Sequence, residues 1–124
     1  MKKILIVDDT VVNLKMAERV LRELPEVRPV PVPSGRRALD FVAKNVPDLI
    51  LLDIMMPEMD GFATLAALRK LEPLAQVPVV FLTGDTEPDT LAKVEQAAVA
   101  GLVKKPFRRE ELLAVVSGLL QGGD

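Results

Sequence analysis

Leu49-Ile50-Leu51-Leu52-Asp53-Ile54-Met55-Met56-Pro57-Glu58-Met59-Asp60-Gly61 runs four large aliphatics straight into one carboxylate and then into a stretch punctuated by Pro57 and Gly61. A continuous apolar run without alternation is the pattern of a strand covered on both faces. Such strands belong to parallel sheets flanked by helices. Ligands of those sheets bind beyond the carboxyl ends of the strands, so Asp53 is expected where chemistry is done. Alone, Asp53 reads as readily as a cap for the following helix. Its weight comes from the rest of the chain.

The same arrangement occurs at the start, where Lys3-Ile4-Leu5-Ile6-Val7 runs into Asp8-Asp9. From Thr10 or Asn13 to Leu24 the apolar residues Leu14, Ala17, Leu21 and Leu24 recur at helical spacing, and Pro25 ends the pattern. Val27-Arg28-Pro29-Val30-Pro31-Val32-Pro33 then alternates Val with Pro or Arg. Proline cannot donate to a ladder, so this second strand belongs at an edge of the sheet. Ser34 is expected to cap a second helix that buries Ala38, Leu39, Val42 and Val46 before Pro47.

Beyond the central strand, Asp48 to Leu52, a third helix is predicted from Gly61 to about Glu72 with Leu65, Leu68 and Leu71 inward. Pro78 to Thr83 is a fourth strand ending on a hydroxyl. Thr86-Glu87-Pro88-Asp89 has the form of a capping box, Thr86 to Asp89, for a helix burying Leu91, Val94 and Ala98. Gly101-Leu102-Val103-Lys104 is a short fifth strand leading into Lys105-Pro106-Phe107. A last helix, from about Arg108 to Leu120, buries Leu112, Leu113, Val116, Leu119 and Leu120, and Gly122-Gly123 follows near the end of the sequence. Five strands alternating with five helices predict an α/β fold. With the second strand outermost, the doubly wound, flavodoxin-like order 2-1-3-4-5 follows.

Composition narrows the function. The 124 residues suffice for one domain, 1–124, with one core. A net charge of -2 supplies no basic surface for nucleic acid. Cysteine is absent, which excludes disulfides and thiolate chemistry. Histidine is absent too, which removes the commonest general base and any phosphohistidine of the chain's own. The apolar run Ile4 to Val7 is too short for a signal-peptide core or a membrane span, so a cytoplasmic protein is expected.

In the predicted order the first and third strands are neighbours, so Asp8, Asp9 and Asp53 converge on one crevice. Three close carboxylates need a cation, and hard oxygen ligands with room for water favour Mg²⁺. Thr83 from the fourth strand and Lys105 after the fifth reach the same edge.

These residues, in this order, resemble the receiver domain of two-component response regulators, over the whole chain. The motifs are Asp8-Asp9, the Asp53 to Gly61 block, Thr83 and Lys105-Pro106-Phe107. The resemblance implies that Asp53 is the phospho-accepting nucleophile. It implies that Asp9 and Asp53 ligate Mg²⁺ directly, that Asp8 acts through water, and that the Met55 carbonyl completes the site. Thr83 and Lys105 would contact the phosphoryl group, and the Lys105-Pro106 bond would be cis. The donor implied is the phosphohistidine of a partner histidine kinase or phosphotransfer protein. The output implied is a downstream protein or domain engaged through the fourth helix, fifth strand and fifth helix. The chain would promote its own phosphorylation and dephosphorylation without being a turnover enzyme.

Two positions depart from the family pattern. Leu102 stands where most receivers carry Tyr or Phe, and Ala98-Val99 stands where Gly-Ala is usual. Both lie on the output face. Among other readings, a pseudo-receiver would keep the fold and take no phosphate, against which stand the intact acids, Thr83 and Lys105. A Mg²⁺-dependent phosphatase with an aspartate nucleophile usually carries a second acid two residues on, where this chain has Met55. A flavin carrier of this topology wants a hydroxyl- or glycine-rich loop after the first strand, where acids would repel its phosphate.

Overall fold

A computed structural model describes residues 1–122. The elements alternate as expected: β1 (Lys2–Val7), α1 (Val11–Leu21), β2 (Val27–Val32), α2 (Gly35–Val42), β3 (Leu49–Asp53), α3 (Gly61–Arg69), β4 (Val79–Thr83), α4 (Pro88–Gln96), β5 (Gly101–Lys104) and α5 (Arg109–Gly122). A single-turn 3₁₀ helix, Glu72–Leu74, follows α3. All five strands are parallel in the order β2-β1-β3-β4-β5. This is the doubly wound sheet predicted from the strand pattern.

The sheet separates two apolar layers, and alternate strand residues serve opposite faces. Leu5, Val7, Ile50, Leu52, Val79 and Phe81 pack with Ala38 and Val42 of α2 and Leu65 and Leu68 of α3. Ile4, Ile6, Leu49, Leu51, Val80 and Leu82 pack with Leu14, Ala17 and Leu21 of α1 and Leu112 and Val116 of α5. Every residue of β3 is buried, which is why its sequence shows no polar alternation. At about 25 cal/mol per Å² of apolar surface, burying each such Leu or Ile contributes roughly 1.5–3 kcal/mol.

β2 is the outer strand on its side, and its prolines follow the hydrogen-bond pattern. Lys2 N–H bonds to Glu26 O, and Asp8 N–H to Val32 O. With Ile4 opposite Pro29 and Ile6 opposite Pro31, the main-chain groups of residues 28, 30 and 32 face β1 and those of 27, 29, 31 and 33 face outward. Three of those outward positions are proline, and Val27 N–H is taken by Leu24 O. The outer edge from Val27 to Pro33 therefore offers carbonyls and no N–H donor.

Several helix ends differ from the sequence expectation. α1 stops at Leu21, where Glu23 and Leu24 make i→i−3 bonds ahead of Pro25. α2 stops at Val42. The Asn45 side chain donates to Phe41 O, occupying a carbonyl that another turn would use, and Val46 is 53% exposed rather than buried. α3 stops at Arg69, whose guanidinium donates to Leu74 O and Val77 O and holds the chain in the 3₁₀ turn. Leu74 is thereby buried in place of Leu71.

α4 begins at Pro88, and the Thr86–Asp89 box does not form. Asp85 instead accepts from Glu87 N–H. Of the predicted stripe only Val94 is buried; Leu91 is at the surface, and Ala98 lies beyond the helix at φ 54°. In α5, Leu112 and Val116 are fully buried, while Leu113, Leu119 and Leu120 are partly so. Gly123 lies outside the described residues. The Lys105-Pro106 bond is cis. Among the described residues no helix is long and apolar enough to cross a membrane.

Candidate functional site

Pairing register brings the polar residues together. Val7 lies opposite Leu52, so Asp8 and Asp53, the next residues of adjacent strands, leave the sheet side by side. Thr83 lies opposite Lys104, which puts Lys105 at the same edge. Carboxylate oxygens of Asp8, Asp9 and Asp53 lie within 4.8 Å of one another. Asp8 and Asp53 are buried, and Asp9 is exposed. Lys105 Nζ lies 2.8 Å from Asp8 Oδ2 and 2.9 Å from Asp53 Oδ1. Asp8 Oδ1 accepts from Thr10 N–H at 2.8 Å. Asp53 Oδ2 is buried without a hydrogen-bond partner among the described residues.

Charge balance explains the proton affinities. Burial pushes the Asp53 carboxyl up to about 6; the hydrogen bond from Lys105 opposes this and the Asp8 charge adds to it. For Lys105 burial acts downward, but the hydrogen bonds and charges of Asp8 and Asp53 outweigh it and hold the ammonium above its ordinary range. One ammonium thus serves a cluster of three carboxyl groups and is paired with two of them. The remaining negative charge and the unpartnered Asp53 oxygen suit a hard cation with oxygen ligands.

The loop behind Asp53 explains the Pro57 to Gly61 spacing. Gly61 N–H bonds to Ile54 O at 2.8 Å, folding the loop against the end of β3. A Cβ at Gly61 would lie 2.5 Å from Asp53 O and 2.8 Å from Ile54 Cα, so this approach admits only glycine. Asp60 caps α3 by accepting from Ala63 N–H. Met55 stands two residues past Asp53 with its side chain exposed.

Thr83 is buried at the end of β4, and its hydroxyl is engaged by the main chain of Asp85. It donates to Asp85 O at 3.1 Å and accepts from Asp85 N–H at 2.9 Å. The Asp85 carboxylate accepts from Glu87 N–H at 2.9 Å and from Thr90 Oγ1 at 2.7 Å. Nothing in the local sequence separates Asp85 from an ordinary loop acid; only its spacing to Glu87 and Thr90 hints at a capping role. The structure therefore joins Asp8, Asp9, Asp53 and Lys105 directly and brings Thr83 to their edge with its hydroxyl bonded to Asp85.

The model of the response regulator receiver domain matches residues 4–117. The chain belongs to the response regulator receiver domain family. Chemotaxis protein CheY of Pseudomonas aeruginosa is 34% identical to this receiver over 110 residues, covering 89% of each chain. The probable transcriptional regulator ycf29 of Porphyra purpurea is 37% identical over 87 residues, 70% of this chain. The receiver spans 42% of that protein and 52% of the rice two-component response regulator ORR1. Among solved structures, Vibrio cholerae CheY4 superposes with a TM-score of 0.88 at 29% identity, covering 96% of this chain and 98% of its own. The receiver domain of a Pseudomonas aeruginosa sensor histidine kinase, with a magnesium ion coordinated in its active site cleft, gives 0.88 at 29%, covering 97% and 98%.

Proposed function

We propose that this receiver takes a phosphoryl group on Asp53 from the phosphohistidine of a partner histidine kinase or phosphotransfer protein. The observation that carries this reading is a buried carboxylate with one oxygen held by Lys105 and the other unpartnered. In the reaction an Asp53 oxygen attacks phosphorus, an O–P bond forms, and the donor's P–N bond breaks with its electron pair leaving on the imidazole nitrogen, which takes a proton from solvent. Such transfer needs positioning and neutralisation more than covalent help.

Asp53 and Lys105 supply both. The ion pair fixes the attacking carboxylate, and the ammonium is placed to meet a phosphoryl oxygen once the acyl phosphate forms. Thr83 is the neutral donor for a second such oxygen after its hydroxyl leaves Asp85. Asp9 and Asp53, with Asp8 through water and the Met55 carbonyl, would hold Mg²⁺. When bound, that ion would neutralise charge on the transferring group. With no histidine in the chain, the phosphohistidine belongs to the donor. The output surface is α4, β5 and α5, towards a downstream protein or domain. The chain is in this reading a modified signalling partner and not a turnover enzyme, acting in the cytoplasm without nucleic acid or membrane.

Intact mass after treatment with acetyl phosphate tests this. One added phosphoryl group is expected with Mg²⁺, and none with chelator or in Asp53→Asn. An unmodified native chain under all conditions identifies a pseudo-receiver. Stoichiometric uptake by Asp53→Asn would move the nucleophile elsewhere.

A further inference from the structure

The resting position of Thr83 is held from α4. Its hydroxyl has one proton, and that proton is committed to Asp85 O, while Asp85 N–H donates back to the same oxygen. Asp85 is itself tied down. Its two carboxylate oxygens are used separately, one by the main chain at Glu87 and one by the Thr90 hydroxyl. Glu87, at the start of α4, makes no side-chain cap of its own, so Asp85 is the residue that satisfies this end of the helix. A continuous chain of hydrogen bonds therefore runs from the Thr83 hydroxyl through Asp85 to the first turn of α4. Gly84, between the two, leaves open space on its Cβ side, so side-chain packing does not hold the loop.

We propose that Asp85 is a positioning residue, a latch whose carboxylate keeps the Thr83 hydroxyl engaged on the Asp85 main chain and whose release is felt at the first turn of α4. This rests on the reading of Asp53 as phospho-acceptor. Thr83 cannot donate to a group on Asp53 while its proton is bound to Asp85 O. Only the fraction of molecules with the latch open is competent, and apparent affinity for an activating group is reduced by that fraction. Removing the carboxylate leaves both main-chain bonds to Thr83 possible but takes away what fixes them. The cost of opening then falls by about the contribution of a hydrogen bond.

The test is titration with beryllofluoride and Mg²⁺, followed by amide and methyl resonances, in the unsubstituted protein, Asp85→Ala, Asp85→Asn and Thr90→Val. Asp85→Ala and Thr90→Val are expected to bind the analogue roughly three- to tenfold more tightly. Asp85→Asn should return to the native affinity, because an amide oxygen accepts from Glu87 N–H and its NH₂ pairs with Thr90. A residue that only capped α4 would lower stability in Asp85→Ala and leave affinity unmoved; unchanged or weaker binding there overturns the latch.

A second measurement does not depend on Asp53. In Thr90→Val without analogue, the Thr83 methyl resonance, seven residues from the substitution, should shift and the Asp85 amide should exchange faster. Unaltered Thr83 and Asp85 signals overturn the proposal. Should the native protein bind no beryllofluoride, the phospho-acceptor reading fails, and these resonances alone decide for or against the latch.

Discussion

Lys105 Nζ is shared between Asp53 Oδ1 and Asp8 Oδ2, at 2.9 and 2.8 Å, so one ammonium serves two buried carboxylates. Its side chain is only 16% exposed, which makes it more than a charge at the mouth of the sheet. Lys105→Ala should leave Asp8 and Asp53 facing each other without a cation. Breaking a buried pair from one side costs about 3–5 kcal/mol, and hydration at this open edge reduces that to about 2–3 kcal/mol. Urea denaturation at pH 8 should show that loss, and near pH 5, where Asp53 takes a proton, the loss should shrink. A variant as stable as native at pH 8 contradicts the shared pairing.

Asp53 supplies the opposite test. Its folded pKa, about 6, lies above the usual carboxylate value of about 4, so between those pH values the folded state binds more protons than the unfolded state. Stability contributed here is present below pH 4 and is lost as pH rises through 6. Asp53→Asn removes the ionised group and should stabilise the protein by about 1–2 kcal/mol at pH 8, allowing for screening at the edge of the crevice. The advantage should vanish near pH 4. An advantage that grew on acidification would reverse the sign argued from burial. Because the cation needs the ionised form, Mg²⁺ affinity should weaken below pH 6.

Gly61 and Gly84 should respond differently to alanine. At Gly61 a methyl meets main chain, Asp53 O at 2.5 Å and Ile54 Cα at 2.8 Å, which cannot move aside without displacing Asp53. Overpacking of this kind costs about 1–3 kcal/mol, and thermal unfolding should show it. At Gly84 nothing lies within 4 Å, and Gly84→Ala should stay within about 0.5 kcal/mol of native.

The acceptor-only edge of β2 predicts an association phenotype. Pro29→Val with Pro31→Val would restore two outward N–H groups beside Val30 and Val32 on the outer edge of the sheet. Sedimentation velocity should then reveal concentration-dependent association absent from the native protein. An unchanged sedimentation profile shows that the edge is protected by something other than its missing donors.

If Asp53 is phosphorylated as proposed, Leu102 is expected to limit the size of the outward signal. It is half-buried on β5 against the layer that holds Phe81 and Val94. Leucine has no hydroxyl to exchange partners and less area to swing than an aromatic, and an equilibrium shifts only by the difference in interaction between its two states. With beryllofluoride, large amide shifts are expected at residues 83–86 and modest ones from 91 to 103, and Leu102→Tyr should enlarge the second set. Equal changes in both sets of the native chain would contradict this.

The strands, their order and the acids at their ends were legible in the residues because each depends on a short-range rule. Leu49 to Leu52 can only be a doubly covered strand, Pro29 and Pro31 can only lie where no donor is needed, and a strand's terminal residue emerges at the sheet edge whatever surrounds it. Helix ends were less legible. They depend on which carbonyl a distant or competing donor takes, as Asn45 does at Phe41 and Arg69 does at Leu74 and Val77. The convergence of Asp8, Asp9, Asp53 and Lys105 followed from strand order alone. The sharing of Lys105, the unpartnered Asp53 Oδ2 and the capture of Thr83 by Asp85 did not, because each is a choice among hydrogen-bond partners that only exist once the strands are side by side. Sequence places a donor near several acceptors, and the packed backbone decides which one lies within 3 Å.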